Sequence, residues 1–138
     1  MPGSRESDLP HQQERIMQLE SMTPMLRTWD LEGAISFYVE ILGFECEDFS
    51  EEFGWASLRF GDVTLMLARP NAHDASTEAF FTGSLYFRIG DVDAVWDRLC
   101  DVASICYPLE TFDYGMREFA IYDRDGYLLQ FGQQVDSP

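Results

Sequence analysis

The chain has no lysine and only two histidines, His11 and His73. All nine of its bases are arginine, set against 25 acids, for a net charge of −16. This balance excludes binding to nucleic acid or an anionic membrane through a basic surface, because such a chain repels polyanions at long range. It favours a cationic small molecule or partner instead. With one histidine in the polar N-terminal stretch and the other in a connecting loop, no pattern of imidazoles is available to ring a metal. No apolar run approaches the roughly 20 residues that span a bilayer. The N-terminal MPGSRESDLPHQQERIM has no apolar core, so neither a membrane partner nor a secretory signal is expected. The three cysteines, Cys46, Cys100 and Cys106, are odd in number and lack CxxC spacing, which argues against a disulfide framework and points to a reduced, cytoplasmic protein. There is no glycine-rich phosphate loop. No serine or cysteine is spaced against a histidine as a nucleophile pair would be.

What is present is a core and a repeat. Of 138 residues, 46% are apolar and 14% aromatic, enough for one globular domain. Residues 1–20 read as a flexible tail with a short helix over 12–20, and residues 21–135 as a single domain. Within it, MTPMLRTWD (22–30) alternates and ends at Asp30, a good helix N-cap. Leu31, Ala34, Ile35, Tyr38, Ile41 and Leu42 follow on one helical face, and Gly43 closes the helix. Strands are expected at about 44–48, 54–60 and 63–68. The second half repeats this order. SLYFRIGD (84–91) alternates and ends at Asp91; Val92, Val95, Trp96 and Leu99 share a helical face; strands fit at about 104–107, 116–122 and 127–133. Module one thus spans about 21–68, a linker 69–82, and module two about 83–135, each with βαβββ order. The expected class is α+β, with eight strands of a curved mixed sheet around a cleft and the helices outside.

DLEGAISFYVEILGFE resembles the first-helix signature of the vicinal oxygen chelate superfamily, which includes glyoxalase I, extradiol dioxygenases and bleomycin-resistance proteins. GMREFAIYDRDGYLLQFGQ resembles its closing hairpin, and the likeness spans about residues 22–134. The resemblance implies paired βαβββ modules and a homodimer. In metal-dependent members, ligands come from the first and last strand of each module. By position those places hold Thr23, Met66, Ser84 and Gln130. Two hydroxyls, a thioether and one amide do not suit a divalent catalytic metal, so no metal and no cofactor are expected. Gln130 stands where metal-binding relatives carry Glu. It is free either to hydrogen-bond a ligand or to tie neighbouring strands together.

Strand parity then selects the cleft lining. Arg27, Trp55, Arg59, Tyr86, Arg88 and Gln130 fall on that side, with Met25, Ser57, Thr64 and Leu128. Arg27 and Arg88 are repeat mates that either clamp an anionic group or pair with local acids. Trp29, Trp55 and Tyr86 either stack on a planar or cationic guest or pack in the core. In relatives the region 107–117 closes over the ligand; here Phe112 and Tyr114 would form such a lid, with Gly115 as its hinge. The implied function is a metal-free binding protein of the bleomycin-resistance type, sequestering a cationic or aromatic compound, with no catalytic residue. The alternative is a metal-dependent lyase, isomerase or dioxygenase with an unusual ligand set.

Overall fold

A computed structural model describes residues 17–136. The expected tail therefore lies, up to residue 16, outside the described residues; positions 17–20 form no helix or strand. Module one comprises β1 (Met25–Arg27), α1 (Leu31–Ser36) continued by a π-helical turn (Phe37–Ile41), β2 (Glu45–Ser50), β3 (Trp55–Phe60) and β4 (Val63–Ala68). Module two comprises β5 (Leu85–Arg88), α2 (Val92–Leu99), β6 (Ser104–Thr111), β7 (Met116–Tyr122) and β8 (Leu128–Gln134). The class is α+β, with paired βαβββ modules. The eight strands form two four-stranded sheets, ordered β1-β4-β3-β2 and β5-β8-β7-β6. In each sheet the first strand of the module lies parallel to the last, with Met25 opposite Met66 and Tyr86 opposite Gln130.

Both helix starts follow from the aspartates. Asp30 accepts the Gly33 amide at 3.0 Å and Asp91 the Ala94 amide at 3.2 Å, each satisfying a donor that the first helical turn leaves free. The first helix does not stay α-helical to its end. Leu42 N–H reaches back five residues to the Phe37 carbonyl at 3.2 Å, a wider turn that apolar spacing alone does not reveal. Gly43 then ends it at φ +92°, a conformation costly for any residue with a Cβ.

Period-two alternation decides which strand face is buried. Ala56 and Leu58, Leu65 and Leu67, and Leu129 and Phe131 enter the core; Ser57, Thr64, Met66 and Gln130 face the other way. Leu31 and Ala34 of α1, Tyr38 of the π-helical turn, and Val92 and Leu99 of α2 complete one continuous core shared by both modules. Phe44 meets Phe87 edge-on across the modules at 6.4 Å.

The hairpin turn Asp123-Arg124-Asp125-Gly126 fastens module two to module one. Asp123 Oδ1 accepts the amides of Asp125 and Tyr127, both at 2.9 Å. Its Oδ2 accepts the hydroxyl of Tyr38, on the far helix, at 2.7 Å. Tyr127 Oη donates to the Arg27 carbonyl at 2.9 Å, and Arg124 pairs with the Asp30 carboxylate at 3.1 Å. Of these, the bonds of Asp123 to Tyr38 and to the Tyr127 amide are buried and carry the energy; the exposed ion pair adds little. Among the described residues, no helix is long and apolar enough to cross a membrane.

Candidate functional site

On the face of module two away from its helix, a chain of hydrogen bonds runs across all four strands. Ser84, just before β5, donates to Gln130 Oε1 at 2.5 Å. Gln130 Nε2 donates to the Tyr107 hydroxyl at 2.9 Å, and Tyr107 donates in turn to Glu118 Oε2. Tyr86 donates to the other oxygen, Oε1, at 2.6 Å. Glu118 is only 2% exposed, and both of its oxygens are satisfied by phenols, as a buried carboxyl requires. Burial, followed by the bonds to Glu118, raises the pKa of both tyrosines, so they remain protonated donors at neutral pH. The amide of Gln130 thus ties β8 to β6 and to the start of β5.

Tyr86 reaches Glu118 because it crosses over Gly132, its neighbour on β8. A Cβ at position 132 would overlap the hydroxyl and ring of Tyr86. Gly132→Ala is therefore expected to displace Tyr86 and cost about 2 kcal/mol of stability by overpacking. In a Tyr86→Ala background the same substitution should cost little. Equal losses in both backgrounds, measured by urea unfolding, would show that the clash is not the cause.

The equivalent face of module one has diverged. Thr23 and Thr64 share a hydrogen bond at 2.7 Å, and strand register sets Met66 in the place of Gln130 and Trp55 in that of Glu118. A wide cavity of about 460 Å³ lies between β1, the linker and the start of β5. Trp29, Met25 and Arg27 line it from module one, Phe80 and Phe81 from the linker, and Ser84 from module two. The linker is held against β1 by Arg27, which pairs with Asp74 at 3.0 Å and bonds the Arg69 carbonyl at 3.3 Å. The Trp29 indole also donates to the Ser76 carbonyl at 2.9 Å. Glu78 adds a carboxylate to the wall beside the Arg27–Asp74 pair.

Three of the four positions where the resemblance implies metal ligands are engaged in side-chain hydrogen bonds. Ser84 and Gln130 satisfy each other; Thr23 is taken up by Thr64, and Met66 offers a soft thioether. These donors do not fit a divalent metal, and among the described residues no group of three His, Cys, Asp or Glu side chains converges.

Of the residues singled out for the cleft, the fold gathers Tyr86, Gln130, Phe112 and Tyr114 in module two. Phe112 meets Tyr107 edge-on at 5.8 Å and stacks on Tyr114 at 5.4 Å. Trp55 sits apart, half-buried on β3. Arg59 is bound to Glu47 at 2.7 Å and to the Gly61 carbonyl. Arg88 donates to Gln134 Oε1 at 3.1 Å. The region 107–117 is mostly strand rather than loop: β6 runs to Thr111, and Phe112–Gly115 form a tight turn with Gly115 at φ +88°. Sequence pattern did not bring forward Tyr107 or the role of Glu118. The available signal was an acid at the head of the otherwise apolar run Phe119-Ala120-Ile121.

The family model described as Glyoxalase/Bleomycin resistance protein/Dioxygenase superfamily matches residues 18–131. The chain belongs to this superfamily. No curated protein matches it. Among solved structures, a glyoxalase/bleomycin resistance protein/dioxygenase from Nocardioides superposes with a TM-score of 0.72 at 17% identity, covering 96% of this chain and 97% of that one. A member of the same superfamily from Sphaerobacter thermophilus gives 0.72 at 18% identity, over 85% and 98%. A protein of unknown function from Agrobacterium tumefaciens gives 0.71 at 23% identity, over 86% and 97%. At such identities the likeness speaks to the fold.

Proposed function

We propose that the protein is a metal-free binding protein that sequesters a cationic, partly aromatic small molecule in the cavity between β1 and the linker. The observation that carries this reading is the wall of that cavity. Trp29, Phe80 and Phe81 offer faces for a planar cation, and Glu78 supplies a carboxylate beyond the Arg27–Asp74 pair. Phe80 is 86% exposed, an unfavourable placement for a phenyl ring that a stacked guest would relieve. The net charge of −16 raises the local concentration of cations. A metal-dependent lyase, isomerase or dioxygenase finds no support in Thr23, Met66, Ser84 and Gln130. A homodimer in a reducing cytoplasm fits the free cysteines and the half-open sheet faces carrying Met25 and Tyr86.

Titration with a planar cationic dye such as acriflavine tests the proposal. Binding should quench tryptophan emission, and Trp29→Phe should remove most of the quench. Glu78→Gln should weaken affinity about tenfold, and salt should weaken it further. Equal binding of an anionic dye of the same size, or affinity indifferent to both substitutions, would refute the assignment.

A further inference from the structure

A second cavity, of about 200 Å³, opens between the modules on the helix side and shares no lining residue with the first. Module one contributes Leu42, Phe44 and Phe60, and module two Phe87, Val95 and Phe131. The charged residues lining it are two arginines, Arg88 and Arg98.

These two are unlike the other described arginines. Arg27, Arg59, Arg69, Arg117 and Arg124 each pair with a carboxylate, from Asp74, Glu47, Glu51, Asp93 and Asp30 respectively. Among the described residues, Arg88 and Arg98 have no such partner. Arg98 donates to the Ile41 carbonyl at 2.7 Å and Arg88 to the Gln134 side chain, leaving further N–H groups on each guanidinium. In a chain with 25 acids and nine bases, carboxylates are not scarce. Yet Arg98 stands at the apolar cavity without one, while Arg88, which lines it from β5, turns its side chain to Gln134 on the opposite face of the sheet.

We propose that this inter-module cavity binds a small aryl carboxylic acid, with its ring in the apolar chamber and its carboxylate on Arg98. This site is independent of the cation site proposed above. An apolar cavity of roughly 150 Å³ accommodates benzene, so the larger volume here admits one ring and a short acid arm. The guanidinium fork matches a carboxylate in shape and charge. The protein's overall negative charge opposes an anion at long range, but screening beyond about 8 Å at physiological ionic strength leaves the local cation to decide.

The test is calorimetric titration of the full chain with phenylacetate, phenylacetamide and phenethylamine. Phenylacetate should bind, and the neutral and cationic analogues should bind at least about tenfold more weakly. Arg98→Gln should cost about tenfold, and Val63→Trp, a substitution at an exposed position on the cavity lining, should block binding sterically. Trp29→Phe should change nothing. Both test positions are exposed, so circular dichroism should confirm an unaltered fold. The assignment is overturned if phenylacetate fails to bind at millimolar concentration, or if Arg98→Gln and Val63→Trp leave binding intact. It is likewise overturned if sedimentation shows that Val63→Asp dissociates a dimer, since a second copy would then cover the cavity.

Discussion

Asp123→Ala is expected to lower the unfolding free energy by about 3 kcal/mol or more, the largest loss foreseen for any single substitution here. The change leaves the buried Tyr38 hydroxyl and the amides of Asp125 and Tyr127 without their acceptor. Each such orphaned group costs roughly 1–3 kcal/mol when buried. Tyr38→Phe strands one carboxyl oxygen and should cost less, about 1–2 kcal/mol. Urea unfolding with an unchanged slope measures both. A loss for Asp123→Ala no greater than that for Tyr38→Phe would show that the turn amides do not depend on this side chain.

The same group carries a pH signature. Burial is the largest influence on Asp123 and raises its pKa; the bonds from Tyr38 and from the backbone of Tyr127 and Asp125 oppose burial without cancelling it. The folded protein therefore holds this proton more tightly than the unfolded chain, whose aspartates titrate near about 3.9. The stability that follows is fully present below that value and is lost as pH rises through the folded pKa. The gap between wild type and Asp123→Asn should widen as pH falls from about 7 toward about 4. A gap that narrows instead would reverse the sign assigned to this carboxyl.

Glu118→Leu is expected to cost about 2–4 kcal/mol, because the hydroxyls of Tyr86 and Tyr107 lose their shared acceptor. Combining it with Tyr86→Phe and Tyr107→Phe should recover much of that loss, since neither phenol is then left without its acceptor. This non-additivity, read from urea midpoints, separates a hydrogen-bond network from simple packing. If the triple variant is as unstable as the sum of its parts, the three residues act independently. Gln130 should tolerate the triple change poorly in one respect: its Nε2 loses the Tyr107 oxygen and must turn to water.

The paired modules, the order of elements in each, the two aspartate caps and the face that each core strand buries were all determined by the sequence alone. Each depends on local chemistry: Asp30 and Asp91 cap the helix that immediately follows, and a period of two along Leu65-Met66-Leu67 or Leu129-Gln130-Phe131 needs no distant partner to sort inward from outward. The metal-unfriendly character of Thr23, Met66, Ser84 and Gln130 was likewise legible, because it is a property of the donors themselves. Tertiary structure decided the partners. Glu118 and Tyr107 are eleven residues apart, and their meeting depends on the irregular register of β6 against β7. The Asp123–Tyr38 bond spans 85 positions and exists because module two folds its hairpin onto the helix of module one. Which arginines find a carboxylate and which are left at an apolar cavity is also settled there, since an ion pair needs two side chains within a few ångströms and sequence spacing does not fix that distance.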